Sequence, residues 1–237
     1  MLEPIQSLWV GPRLSVMEQL SIASFLHLGH EFQLYVYDEP TGVPPGTTLL
    51  DGSRILPASR IFSYTEHPSY AGFANFFRYK LLLEHGGWWV DADMVCLRPF
   101  EFASPYVFSS EDLSGTFHVN VGALKAPPGS PVMQYAWDTC QSLDPKRLEW
   151  SQCGPKLAQR AVDAYSLRDY VQPPHVFCPT HPSAWRKVLD PAADWSLPES
   201  TRAIHLWNEM WRRGGQSKDG AYDPNCLYEK LKRRYLA

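Results

Sequence analysis

The chain lacks any cluster of cysteines, and the five it has suggest neither a metal cage nor a disulfide framework. Cys96, Cys140, Cys153, Cys178 and Cys226 are odd in number, widely scattered, and never set as Cys-x-x-Cys. Reduced structural thiols are expected. Long uninterrupted apolar runs are missing too. The opening Met1-Leu-Glu-Pro-Ile has neither the basic start nor the apolar middle of a secretion signal. A soluble, cytoplasmic protein is the expectation. There is no excess of positive charge: the net value is −3 over 237 residues, which argues against a nucleic-acid partner. No internal repeat, low-complexity tract, linker or Walker-type glycine loop is present. These absences leave one globular α/β domain spanning residues 1–237, with a core of ordinary size.

The opening third reads as strand, helix, strand. Residues 5–10 are an apolar strand ending at Gly11-Pro12. Ser15-Val-Met-Glu18 is a capping box opening a helix that Gly29 can close, and residues 32–37 form a second strand ending at Asp38. The Pro- and Gly-rich residues 39–46 make a loop over one edge. That order favours a parallel sheet, with ligands gathering beyond the strands' C-terminal ends. Residues 172–198, rich in proline, predict a less regular C-terminal lobe. The tail Tyr228-Glu-Lys-Leu-Lys-Arg-Arg-Tyr-Leu is basic and partly amphipathic: a solvated terminal helix, or a peripheral contact with an anionic membrane.

The densest chemistry lies between Phe73 and Asp93. Asn75 and Arg78 share one helical face and Phe73, Phe77 and Leu81 another, so one face can pack while the other meets a ligand. Gly86-Gly87 permits a turn closed to bulkier residues, and Trp88-Trp89-Val90 then enters the sheet. Asp91 and Asp93 follow, pointing the same way from extended backbone. Paired acids at a core edge repel unless a cation lies between them, and oxygen donors favour Mn²⁺ or Mg²⁺. By itself such a pair is compatible with a Mg-dependent phosphohydrolase or nucleotidyltransferase. Nine tryptophans are equally compatible with a non-catalytic carbohydrate-binding module.

With these residues in view, the chain resembles the glycosyltransferases of GT-A fold that carry an Asp-x-Asp motif. The similarity is to the family of the initiating α-1,6-mannosyltransferase and the α-1,4-glycosyltransferases, and more distantly to the large clostridial glucosylating toxins. Arg78, Gly86, Gly87, Trp89, Asp91 and Asp93 match its pattern. Shorter matches are Trp9-Val-Gly, Asn120-Val-Gly, Ala126-Pro-Pro-Gly-Ser-Pro, Gly154-Pro155 and Ala203-Ile-His-Leu-Trp-Asn208. The resemblance implies a Rossmann-like mixed, mainly parallel sheet flanked by helices. Residues 1–100 would form a nucleotide-sugar half, and 101–237 an acceptor half with a C-terminal flap.

It also implies a metal-dependent hexosyltransferase using a nucleotide diphosphate sugar, a UDP-sugar first, with GDP-mannose left open. The acceptor would be a glycan, lipid or protein, as in bacterial polysaccharide biosynthesis, and the anomeric configuration would be retained. Asp93 would bind the cation directly, Asp91 would contact the ribose and the metal shell, and His205 would be a third metal ligand or a diphosphate contact, although a histidine closing an apolar strand is as often a core residue. Arg78 would hold the donor, and Asn120 would stand beside the reacting carbon. Trp9, Val10 and Tyr37 would receive the base, with core packing equally open for Tyr37. Trp89 and Ala92 belong to the same donor wall. Asn75 departs from the family, which carries Asp there; an amide bonds to hydroxyls without bringing charge.

Glu111 and Asp112 are candidates for acceptor hydroxyls or proton transfer, or are ordinary loop acids. Trp207 and Trp211, four apart, can stack on one helical face beneath a sugar, with Gly214-Gly215 as a flexible end, or can fill a small core.

Overall fold

The structure, a computed structural model, describes residues 2–64, 68–113 and 115–236; Met1, where the opening segment was read for a leader, lies outside them. The first strand, β1 (Ile5–Trp9), stops one residue short of expectation. Helix α1 (Val16–His27) begins at Ser15, where the predicted capping box forms: the Ser15 N–H donates to Glu18 Oε2 at 2.8 Å. Gly29, at φ +86°, follows its end. Strand β2 (Phe32–Val36) pairs in parallel with β1, Ile5 opposite Phe32. Beyond the expected loop comes β3 (Thr47–Asp51), a half-exposed edge strand that the sequence reading did not anticipate.

Helix α2 (Ala71–His85) carries the motif's first half. Gly86 and Gly87 adopt φ of +65° and +81°, and a Cβ on Gly86 would lie 2.5 Å from Pro128 Cδ, so both backbone angle and space demand glycine. Gln6 of β1 secures this turn, donating from Nε2 to the Gly86 carbonyl at 2.8 Å and the Trp88 carbonyl at 3.2 Å. Strand β4 (Gly87–Val90) follows, then β5 (Met94–Cys96), β6 (Val107–Leu113) and β7 (Thr116–Ala126). Helices α3 (Pro131–Ser142) and α4 (Pro155–Ala164) each open on a proline, α4 at the expected Gly154-Pro155. The rest is less regular, as predicted: α5 (Pro174–Phe177), β8 (Ala203–His205), α6 (Asn208–Arg213) and α7 (Leu227–Tyr235), joined by turns.

The main sheet runs β3-β2-β1-β4-β7-β6. Its β3-β2-β1-β4 part is parallel, while β7 is antiparallel to both β4 and β6. Alternation along β4 sends Trp88 into the core on one face and Trp89 into the core on the other, both fully buried. At about 25 cal/mol per Å² and 150–250 Å² per ring, each contributes roughly 4–6 kcal/mol of gross burial. Both cores draw residues from before and after residue 100. Off the main sheet, β5 pairs antiparallel with β8, Met94 opposite His205. Helix α7 buries Tyr228, Leu231 and Tyr235 and packs on α1, leaving only its charged side outward. Among the described residues no helix is long and apolar enough to cross a membrane.

Candidate active site

A cleft of about 1050 Å³ opens beyond the C-terminal ends of β1 and β4 and extends along β7 towards α4. Its floor is the Asp-x-Asp pair. Asp91 follows the last residue of β4, its N–H donating to the Gly122 carbonyl at 2.7 Å. Its Oδ1 accepts from Arg78 Nη2 at 2.8 Å and from the Trp89 indole N–H at 2.9 Å. Arg78 is itself fixed: Nη1 donates to the Val121 carbonyl at 2.6 Å, and the guanidinium lies 4.8 Å from the Trp89 ring centre. With one end of its fork spent on Asp91, Arg78 acts here first as the residue that aims that carboxylate.

Asp93 is buried. Its Oδ2 accepts from the Asn208 N–H at 2.7 Å, at the start of α6, and its Oδ1 lies 3.3 Å from His205 Nε2. The β5–β8 pairing makes this meeting possible, because it sets His205 directly across from Met94. Burial works against charge on either group, but their mutual attraction and hydrogen bonding outweigh it. Asp93 is therefore held below the usual carboxylate range and His205 well above the ordinary imidazole value. The ring of His205 is boxed in: Trp207 stacks on it at 3.9 Å between centroids, Cys178 Sγ lies 3.8 Å from Nδ1, and a Cβ on Gly122 would come within 3.1 Å of Cε1. Trp207 holds this position in the left-handed region, φ 60° and ψ 54°, a strained conformation for a bulky side chain.

The donor atoms of Asp91, Asp93 and His205 all lie within 4.8 Å of one another. Ligands on one small divalent ion, with bonds of about 2.1 Å, stand at most about 4.2 Å apart, so a modest contraction brings all three onto one cation. Two carboxylates and an imidazole could hold one divalent cation, and the thiol at Nδ1 leaves Nε2 facing the carboxylates.

Trp9 and Val10 line the β1 end of the cleft, and Asn75, Ala92, Trp89 and Trp207 line its wall. Asn75 Nδ2 points to Cys153 Sγ at 3.5 Å. Farther along, Glu111 and Asn120 meet, Asn120 Nδ2 donating to Glu111 Oε1 at a long 3.5 Å while its Oδ1 accepts from the Gly122 N–H at 2.7 Å.

Three expected residues stand elsewhere. Tyr37 turns into the α2 side of the core, its hydroxyl donating to the Leu56 carbonyl at 2.7 Å, since that pocket satisfies both ring and hydroxyl. Asp112 neighbours Glu111 on a strand and so faces the other way, into solvent, where Oδ1 accepts from the Gly115 N–H. Trp211 is fully buried against Trp185 and Tyr228, its indole donating to the Leu206 carbonyl. The Trp207–Trp211 stack does not form, because Trp207 precedes the helix that Trp211 belongs to. Sequence reasoning passed over Ser7, Trp150 and Lys156, which also line the cleft. Ser7 Oγ and Trp9 Nε1 are buried at its β1 end without a hydrogen-bond partner among the described residues, an arrangement suited to a polar ligand.

Comparison with known proteins bears on the fold and on the stretch that carries the motif. Residues 17–111 match the family model described as "Glycosyltransferase sugar-binding region containing DXD motif". Among solved structures, the chain is similar to "PaToxG Glycosyltransferase", at 11% identity and a TM-score of 0.50, over 98% of this chain and 84% of that one. Looser similarity extends to a chain titled "Structure of Transferase", at 10% identity and TM-score 0.47 over 72% of this chain and 89% of that one. It also extends to the apo-form glycosyltransferase GlyE of Streptococcus pneumoniae TIGR4, at 11% identity and TM-score 0.43 over 74% and 46%. No curated protein matches. The resemblance read from the sequence thus holds: the stretch bearing α2, the double glycine and Asp91-Ala-Asp93 matches the Asp-x-Asp glycosyltransferase sugar-binding region, within a GT-A-like fold.

Proposed function

We propose that the protein is a metal-dependent hexosyltransferase that moves a sugar from a nucleotide diphosphate, most simply a UDP-sugar, to a hydroxyl of a glycan, lipid or protein acceptor. The observation that carries this reading is the convergence of Asp91, Asp93 and His205 at the floor of a cleft whose β1 end holds two buried polar groups without a partner among the described residues. A bound Mn²⁺ or Mg²⁺ supplies positive charge against the charge gathering on the departing diphosphate. Arg78 and Trp89 hold Asp91 in place, and the Asn208 N–H and His205 hold Asp93, so the ligands are set before substrate arrives. Ser7 and Trp9 bind the nucleotide end, and Asn75 offers an uncharged amide to the sugar hydroxyls.

In the retaining route the bond from anomeric carbon to diphosphate oxygen breaks and its electron pair leaves with the phosphate. The acceptor oxygen joins the same face of the oxocarbenium-like carbon, and its proton passes to that phosphate oxygen. Asn120 and Glu111 stand where the acceptor approaches. Any membrane contact would go through the charged outer side of α7, whose apolar side is spent on α1.

The test is calorimetric titration of UDP-glucose, UDP-galactose, UDP-N-acetylglucosamine and GDP-mannose into wild type and Asp93→Ala, with and without Mn²⁺. Metal-dependent binding of one donor, lost in the variant, is expected. If no nucleotide sugar binds under either condition, the transferase reading fails and a carbohydrate-binding module takes its place.

A further inference from the structure

Charge pairing in the cleft is uneven. On the floor each charge has a partner: Arg78 meets Asp91, and His205 meets Asp93. At the walls Glu18 holds Lys218, and Glu209 holds both Arg212 and Arg213. Lys156 and Arg160 differ. Both line the cleft, both are exposed, and neither has an acidic partner among the described residues.

Their setting is unfavourable for folding alone. They lie one turn apart on α4, where like charges repel, and Lys156 is in the first turn, at the end of the helix dipole that disfavours cations. The opposite side of α4, Leu157, Ala158, Ala161 and Val162, is buried, so the helix cannot roll to part the two charges. Gln159 fixes it further, its Oε1 accepting from the Val119 N–H of β7 at 3.0 Å. The backbone that carries the two cations is thus fixed at the β7 arm, across β4 from the β1 end. Trp150, which lines the same cleft, is 39% exposed, with Tyr64 against it and the Arg213 guanidinium 4.8 Å from its ring centre. A partly exposed indole in the same cleft as two cations that have no acidic partner among the described residues matches a ligand with a sugar face and a negative group.

We propose that this arm is the acceptor subsite and that it takes a saccharide bearing an oxyanion, a phosphate or a carboxylate. Lys156 and Arg160 hold the oxyanion and Trp150 receives the sugar ring. The inference rests on the transferase reading, and it narrows the acceptor to an acidic sugar, free or at the end of a larger glycan.

The experiment is a ligand-observed NMR titration of methyl glucoside, methyl glucuronide, glucose 6-phosphate and inorganic phosphate into wild type and the Lys156→Gln/Arg160→Gln double variant. UDP with Mn²⁺ is titrated separately into both. Both substitutions are at exposed positions, and relief of the repulsion predicts a melting temperature equal to or above that of wild type. Expected for wild type is binding of the two charged saccharides about tenfold tighter than the neutral one, with the advantage falling as salt is raised. In the double variant that advantage disappears while UDP affinity is kept. Equal binding of neutral and charged saccharides, or no binding of any, overturns the proposal. So does inorganic phosphate binding as tightly as glucose 6-phosphate, or loss of UDP affinity in the double variant, which would assign the cations to the donor. Failure of UDP to bind wild type at all is a separate result and strikes the transferase reading itself.

Discussion

The β1-to-β4 side of the molecule and the lobe after α4 contribute to the same cleft by different means. The first obtains its geometry from repetition: parallel strands in register, helices packed over them, and a turn that two glycines impose. The second has little regular structure and relies on single anchors. Arg98 Nη1 donates to the Thr201 carbonyl, the Trp207 indole to the Thr180 carbonyl, and the Asn208 N–H to Asp93. A periodic element spreads its stability over many residues, whereas an anchored lobe concentrates it in few. Damage of equal chemical size should therefore be felt more in the lobe.

Trp211 is the sharpest place to break that contrast. It is fully buried between Trp185, Tyr222 and Tyr228, so Trp211→Ala is expected to cost about 3–5 kcal/mol, readable as a drop in the denaturant midpoint, with α6 and the His205 segment loosened together. A variant as stable as wild type would show that the lobe is not held by its aromatic anchor. Asp93→Asn comes next. It keeps the shape but removes the charge that faces His205 and would face the proposed cation, and the proposed transfer should fall by about 10²–10³ while the fold persists by circular dichroism. An active Asn variant would remove Asp93 from the site.

Gly122→Ala tests the seam between the two regions. The added methyl would come 2.9 Å from Asn120 Oδ1 and 3.1 Å from His205 Cε1, so a loss of about 1–3 kcal/mol and weaker Mn²⁺ binding are expected together in thermal melts and metal titrations. Stability lost without any change in metal affinity would mean that His205 is not confined by β7. Cys178→Ala is gentler: with the thiol beside Nδ1 gone, Mn²⁺ affinity should fall by roughly tenfold in a competition assay, with little effect on folding. At the quiet end, all five thiols are buried and unpaired, and burial raises those of Cys96, Cys140, Cys153 and Cys178. None should react with a thiol reagent before unfolding.

Legibility in the sequence follows the same division. The capping box at Ser15, the α2 faces, the double glycine and the strand ending at Asp91 are local patterns, and all appear where read. β3 was missed because Thr47-Thr-Leu-Leu-Asp51 is a half-exposed edge after a proline-rich loop, with no clean alternation to mark it. Asp112 shows a recoverable error: once 107–113 is known to be a strand, Glu111 and Asp112 must face apart. Tyr37 and Trp211 were beyond recovery, because an aromatic residue that packs a core and one that lines a cleft look alike in one chain. Cys178 beside His205 depends on a contact between segments 27 residues apart, which leaves no local spacing to read.

The narrow ribbon of β5 and β8 also orders events in time. Asp91 and Asp93 leave the ribosome early, but their third partner, His205, is made on the order of a hundred residues later, and only the pairing of Met94 with His205 unites them. A chain interrupted anywhere in that interval has the two carboxylates but lacks His205, and so lacks the complete candidate cation site. Under the proposed function, metal capture would report that β8 has been made and has docked.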